Sequence, residues 1–251
     1  MKTARKQVVA VTGGTRGIGL AVARAFHRHG YQVAVCAHSA KTDGLPAGVL
    51  HRRVDVRKRL AVHRFVAAVV DRFGGLDVLV NCAGVSRWRP VGEIDESFVK
   101  EVIETNLLGA LWGCAASSAV MREGGCIVNL SSLAGKRGSA NNSAYCAAKF
   151  AVNGLTQALA KELGPRGIRV NAVCPVYVKT ERILSSLKEP SSPAQGGSVE
   201  EYLASFAATQ TALGRLPTAE EVAEAVYFLA SPAASAMTGQ CINVDCGTLP
   251  Q

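Results

Sequence analysis

Gln7-Val8-Val9-Ala10-Val11-Thr12-Gly13-Gly14-Thr15-Arg16-Gly17-Ile18-Gly19 is the stretch on which the fold turns. Its first half, 7–12, is a short apolar run, the pattern of a strand buried on both faces. Its second half is rich in glycine, and residues 18–29 then carry apolar side chains at Ile18, Ala21, Val22, Ala25 and Phe26. That spacing is helical, and Gly30 ends it. A glycine-rich turn between a buried strand and a helix lets the backbone approach an anion closely. The helix N-terminus adds unpaired N–H groups and the positive end of its dipole. Gly13, Thr15, Arg16, Gly17, Ile18 and Gly19 are therefore a candidate pyrophosphate cradle. A plain tight turn would need fewer glycines.

The same alternation continues along the chain. Strand-like runs fall at 31–36, 49–54, 76–81, 125–131, 168–174 and 240–244. Helical patterns fall at 58–73, 97–121, 143–163 and 219–230, the third closed by Gly164-Pro165. Alternating strands and helices predict an α/β fold, a doubly wound parallel sheet of about seven strands with helices on both faces. No composition break divides the chain, so 1–251 is expected to be a single domain. Two places are irregular. Only about a dozen residues, with Gly44, Pro46 and Gly48, join the second and third strands, which is short for a crossover helix. Residues 176–213, with Pro190, Pro193, Gly196 and Gly197, read as a long loop, and such loops in compact domains usually serve a site.

Bulk properties narrow the function. No run of about 18 apolar residues is present, so no membrane span is expected. Met1-Lys2-Thr3-Ala4-Arg5-Lys6 leads straight into the first strand with no apolar signal core, which points to the cytoplasm. The eight cysteines are scattered without a C-x-x-C, so they read as reduced, buried thiols and no metal site is expected. The formal charge is +9, but the one tight basic cluster, Arg52, Arg53, Arg57, Lys58 and Arg59, has no aromatic among it. A nucleic-acid surface would interleave the two, so none is expected.

Tyr145-Cys146-Ala147-Ala148-Lys149 puts a phenol and an ammonium one helical turn apart. A phenol titrates near ~10, and a cation fixed beside it stabilises the phenolate and makes it a usable acid or base. With the Gly-x-x-x-Gly-x-Gly turn, Asn81-Cys82-Ala83-Gly84 after the fourth strand, Asn106, and Ser132 thirteen residues before Tyr145, the chain resembles the classical short-chain dehydrogenase/reductase family over essentially its whole length. Within it, the chain is similar to 3-oxoacyl-carrier-protein reductases and aromatic-polyketide ketoreductases, and the ending Asn243-Val244-Asp245-Cys246-Gly247 fits that branch. The resemblance implies hydride transfer between a nicotinamide and a ketone or secondary alcohol. Tyr145 would give or take the proton, and Lys149 would lower its pKa and hold the nicotinamide ribose. Ser132 would bond the carbonyl oxygen, and Asn106 would hold a water linking Lys149 to solvent. Asn81, Ala83 and Gly84 would line the cofactor, Asp55 and Val56 would meet the adenine, and Pro175, Val178 and Thr180 the nicotinamide.

The second strand ends Val35-Cys36-Ala37-His38-Ser39, with no carboxylate to bind a ribose 2′-hydroxyl and repel a 2′-phosphate. Arg16, His38 and Lys41 could surround that phosphate, so NADP(H) is favoured over NAD(H). Val176 stands where the family usually has glycine, which puts a branched side chain near the nicotinamide. Expected pocket walls are Ser86, Arg87, Trp88, Leu133, Ala134, Asn141, Asn142, Val176, Tyr177 and the 183–213 segment. The resemblance suggests a β-ketoacyl or polyketide-like carbonyl, with an acyl carrier protein as a candidate partner. Against that partner, Glu123 occupies a position where carrier-protein reductases often place a basic docking residue, while Arg166 remains. It also implies a homotetramer. The alternatives are a sugar- or alcohol-oxidising dehydrogenase and a dinucleotide-binding sensor; the intact Ser132, Tyr145 and Lys149 argue against the sensor.

Overall fold

The computed structural model describes residues 5–40 and 42–250, so Lys41, one of the expected phosphate ligands, lies outside the described residues. Seven strands form one sheet: β1 Val8–Thr12, β2 Gln32–Ala37, β3 Leu50–Arg53, β4 Leu76–Asn81, β5 Met121–Leu130, β6 Arg169–Pro175 and β7 Cys241–Val244. All pairs are parallel and the order is β3-β2-β1-β4-β5-β6-β7. The chain winds outward one way from β1 to β3 and then the other way from β4 to β7. The turns after β1 and β4 therefore part at the middle of the sheet and leave a crevice at its carboxyl edge.

Side-chain alternation builds two core layers. Val8, Ala10, Leu79, Ile127 and Val170 face one way, toward helix α2 (Arg59–Phe73) with its Val62, Phe65 and Val69. Val9, Val11, Val33, Val35, Val78, Val80 and Val128 face the other, toward α1 (Gly17–Arg28) and α8 (Ala219–Ala230). β1 and β2 are buried along almost their whole length, as their apolar runs predict, whereas the edge strand β3 leaves Arg52 and Arg53 exposed. Among the described residues no helix joins β2 to β3, in line with the short linker, and Gly44 and Gly48 take left-handed conformations there.

Three expectations need correction. The helix expected over 97–121 is two helices, α3 (Glu96–Ile103) and α4 (Gly109–Ser118), joined by a single widened turn of π type at Glu104–Leu108. Strand β5 starts at Met121 rather than 125; its register with β4 shifts between the Leu76 and Val78 pairs, and Gly124 is left-handed at φ 75°. The 176–213 segment is not a structureless loop. It holds α6 (Glu181–Ser186), capped by Thr180, and α7 (Val199–Gln210), capped by Ser198. Their apolar side chains Leu187 and Leu203 are fully buried against Trp88, forming a small third core. Among the described residues no helix is long and apolar enough to cross a membrane. None of their His, Cys, Asp and Glu clusters suits a metal.

Candidate active site

The crevice at the carboxyl edge is a cleft of about 510 Å³ lined by Gly13, Thr15, Arg16, Gly17, Ile18, Gly19, His38, Asp55, Val56, Ala83, Gly84 and Thr180, among others. Helix α1 begins on its floor. Arg16 at the N-cap makes no side-chain cap, and no acid sits in the first turn, so the first N–H groups are left for an anion. The glycines are required by contact. A side-chain carbon on Gly19 would overlap the Gly13 carbonyl, and one on Gly17 would press on Thr180 at 3.1 Å. Gly13 is also left-handed (φ 71°), and its N–H bonds to Cys36 O at 2.7 Å. The donor set, the exposed helix terminus and the cleft fit a dinucleotide.

At the adenosine end, Ala37, His38 and Ser39 line the cleft with no acid among them. Asp55 is held by Arg57 through both carboxylate oxygens, at 2.9, 3.1 and 2.7 Å, which pulls its carboxyl below the usual range. Arg53 bonds to His38 O at 3.1 Å and so braces the same edge. Sequence reasoning passed over Ser39 and Arg182 as cleft residues, while Arg57, of the basic cluster beside Asp55 and Val56, also lines the cleft. Arg182, on α6, donates to Gly84 O at 2.6 Å and ties the lid segment to the turn after β4.

Asn81 is a correction. It lies outside the cleft, on the Leu79 side of β4, 4% exposed and wedged against α4 so closely that only glycine fits at 113. Its Nδ2 bonds to Ala110 O and Asn129 Oδ1, and Asn129 in turn donates to Thr156. This buried polar chain fixes β4, β5, α4 and α5 (Ser143–Leu163) together. The backbone beyond Asn81 is what reaches the cleft: Cys82 and Ala83 N–H groups bond to Thr12 Oγ1 at 3.1 and 3.2 Å.

A second cavity of about 320 Å³ opens from the cleft and shares Ile18, Cys82, Gly84, Val85, Leu130, Thr180 and Arg182 with it. The structure brings Asn106, Ser132, Tyr145, Lys149, Pro175 and Val178 together around it. Ser132 caps the short turn after β5, and its hydroxyl bonds to the Tyr145 phenol. Burial pushes that phenol up to about 12, with the Ser132 bond pulling the other way. Lys149 is 4% exposed, and burial pushes it down to about 8. Its Nζ donates to Leu130 O at 2.7 Å and lies 5.6 Å from the Tyr145 ring centre. The expected lowering of the Tyr145 pKa by Lys149 is thus not seen in this arrangement. The ammonium turns to the strand carbonyl, and desolvation dominates both groups.

Asn106 sits in the widened turn. Its Nδ2 donates to Val85 O and Val102 O, and its Oδ1 accepts from Val85 N–H. The side chain thus clamps the segment after Gly84, and one Oδ1 lone pair remains beyond these contacts. Ser131 turns away from Ser132, to Lys149 O at 3.4 Å.

Of the expected pocket walls, Ser86, Trp88, Leu133, Ala134, Asn142, Val176 and Tyr177 line the cavity. Trp88 is 3% exposed and is a core residue beneath α7 rather than an exposed anchor. Arg87 turns aside to Glu101 and Glu189, and Asn141 to Ser191 O. The expected 183–213 segment contributes Ile183, Pro193 and, from α7, Tyr202 and Phe206, while Arg137 and Ser139 complete the wall and were not expected there. Arg166, the remaining docking cation, donates to Ser118 O and Met121 O.

Comparison with known proteins agrees with this geometry. A family model described as enoyl-(acyl carrier protein) reductase matches residues 13–248. A Streptomyces coelicolor protein assigned as a ketoacyl reductase is 39% identical, covering 99% of each chain. The cis-4-hydroxycyclohexanecarboxylate dehydrogenase of Sinomonas cyclohexanicum is also 39% identical, covering 96% of each. The crystal structure of a point variant of actinorhodin polyketide ketoreductase with NADPH superposes with a TM-score of 0.88, at 37% identity and 99% coverage of each chain. With its sheet order, glycine cradle and Ser132-Tyr145-Lys149 cluster, the chain belongs to the short-chain dehydrogenase/reductase family of oxidoreductases.

Proposed function

We propose that this protein is an NADP(H)-dependent ketoreductase acting on a β-ketoacyl or polyketide-like carbonyl. The observation that carries the reading is the Ser132–Tyr145 hydrogen bond in a cavity continuous with the glycine-turn cleft. A carbonyl there lies between proton donors and the nicotinamide end of the cleft. The bound nicotinamide supplies the hydride. Tyr145 gives its proton to the carbonyl oxygen, and Ser132 donates a hydrogen bond to that oxygen as charge develops on it. Lys149, one turn along α5, would hold the ribose. Asn106 shapes the wall and keeps an Oδ1 lone pair for a water.

Gly13, Thr15, Gly17, Ile18 and Gly19 take the pyrophosphate, and Asp55 and Val56 the adenine. Ala83, Gly84, Pro175, Val178 and Thr180 take the nicotinamide end. Arg16 and His38 would hold the 2′-phosphate, and the end of β2, Ala37-His38-Ser39, carries no acid to repel it, which supports NADP(H) over NAD(H). The neighbour solved with NADPH supports the same choice. We read 1–251 as one domain with 176–213 as its lid. The exposed Phe150 on α5 and Phe228 on α8 support the expected homotetramer.

The test is nicotinamide oxidation by the purified protein with NADPH or NADH against β-ketoacyl thioesters and cyclic ketones. Turnover with NADPH alone supports the reading. Preference for NADH overturns the phosphate assignment, and no turnover of any ketone overturns the reductase assignment. The relative named for a hydroxycyclohexanecarboxylate makes the reverse reaction, with a cyclic alcohol and oxidised cofactor, the second panel.

A further inference from the structure

The substrate cavity has a charge imbalance that the reaction chemistry does not use. Its lining contains no Asp and no Glu but three cations, Arg137, Lys149 and Arg182. Two of these are tied to backbone oxygens, Lys149 to Leu130 O at 2.7 Å and Arg182 to Gly84 O at 2.6 Å. Among the described residues, the Arg137 side chain has no carboxylate partner, and no hydrogen bond of its own is seen. It reaches far enough into the cavity for its charge to act on the Tyr177 phenol. Arg137 is only partly buried, so its guanidinium can pair with an anion that enters the cavity.

The wall near it is aromatic. Tyr177 packs edge-on against Tyr202 (ring centres 5.9 Å apart, planes at 78°) and against Phe206 (4.9 Å, 79°). The two phenol oxygens meet at 3.2 Å, so these polar tips bond to each other and leave ring surface toward the cavity. At about 320 Å³ the space is at the small end of ligand sites. The cavity therefore combines polar groups and an aromatic wall with one planar cation, Arg137, that can bind an anion through two N–H groups.

We infer that the substrate is a small cyclic ketone carrying a carboxylate, with its ring against Tyr177, Tyr202 and Phe206 and its carboxylate bound by Arg137. Arg137 sets specificity and takes no part in the proton or hydride steps. This rests on the ketoreductase reading above for its hydride and proton steps, and departs from it in substrate class, with a carboxylated cyclic ketone in place of a β-ketoacyl chain.

The test uses a matched pair, 4-oxocyclohexanecarboxylate and its carboxamide, with the intact protein and NADPH. The wild type is expected to prefer the acid by roughly 10- to 100-fold in kcat/KM, the effect of one charge-assisted bidentate contact, with most of the difference in KM. Arg137→Gln is expected to bring the ratio near one, and Arg137→Lys to restore part of it. Calorimetric binding of the acid should weaken in Arg137→Gln by a similar factor, which reads the contact without turnover. Equal use of acid and amide by the wild type overturns the inference, as does an Arg137→Gln variant that loses both substrates equally. A preference for a phosphopantetheine thioester that Arg137→Gln abolishes would reassign the cation to a phosphate and overturn the carboxylate. Turnover of the amide alone would leave the ketoreductase reading standing while this one fell.

Discussion

Replacing Lys149 by Met should make the protein respond differently to alkaline pH, because Lys149 is a buried cation whose nearest compensation is one carbonyl, Leu130 O. Burial lowers its pKa to about 8, against about 10.4 for an unfolded lysine. The sign follows from proton counting. Below pH 8 both states hold the proton, and the full desolvation cost weighs on the folded state. Between about 8 and 10.4 the unfolded chain binds more protons than the folded one, so stability rises with pH. Integrated from pH 7 to 9.5, that shift gives about 2 kcal/mol, an upper figure because relaxation around the ammonium reduces it. Lys149→Met keeps the length of the stem and removes the titration. It also leaves Leu130 O without its partner, an offset that does not depend on pH. Urea unfolding of wild type and variant, without cofactor, at pH 7 and 9.5 is the assay. The wild type should gain about 1–2 kcal/mol relative to the variant over that range. Parallel curves, or a wild type that loses ground as pH rises, would refute a desolvated ammonium at this position.

Arg16→Ala should lower the NADPH-over-NADH preference by roughly 10- to 100-fold in kcat/KM, the loss of one charge-assisted bond to phosphate, with NADH turnover changed far less. Asn81→Ala should cost about 1–3 kcal/mol in denaturant unfolding, because it removes the amide donor to Ala110 O and leaves Asn129 Oδ1 only the weak Cys114 thiol. Its cofactor affinity, measured by fluorescence titration, should shift less than that of Arg16→Ala, as expected for a residue behind the cleft.

The sheet could be read from the chain because strands such as Val8–Thr12 and Gln32–Ala37 are buried on both faces and so are almost wholly apolar. The cradle was legible because its glycines are forced by contacts between backbones, as at Gly13 and Gly19. Helix α7 was missed because Pro190, Pro193, Gly196 and Gly197 before it suggest a loop. The capping pair Ser198 and Glu201, with Ser198 accepting from Glu201 N–H, was the available signal. With α7 unseen, the 183–213 segment could be expected to wall the pocket, but not which of its residues face the cavity or that it covers Trp88. Asn81 had a signal too: it shares the parity of Leu79, whose side chain points into the α2 and α4 layer. The widened turn at Glu104–Leu108 was not legible, since one extra residue in a turn leaves the helical pattern almost intact. Nor was the position of the Lys149 amine, which depends on the strand carbonyl it finds.

The central claim is that Tyr145 is the proton donor in a nicotinamide-dependent carbonyl reduction. Its most direct test is the single-turnover rate of Tyr145→Phe with NADPH and a cyclic ketone, alongside NADPH affinity measured by fluorescence. Phenylalanine keeps the ring and removes the hydroxyl that bonds to Ser132. The rate should fall by roughly 10²- to 10⁴-fold, the usual share of a positioned general acid, while NADPH affinity stays within a few-fold. A near-normal rate with intact cofactor binding would contradict the claim and move the proton to another group.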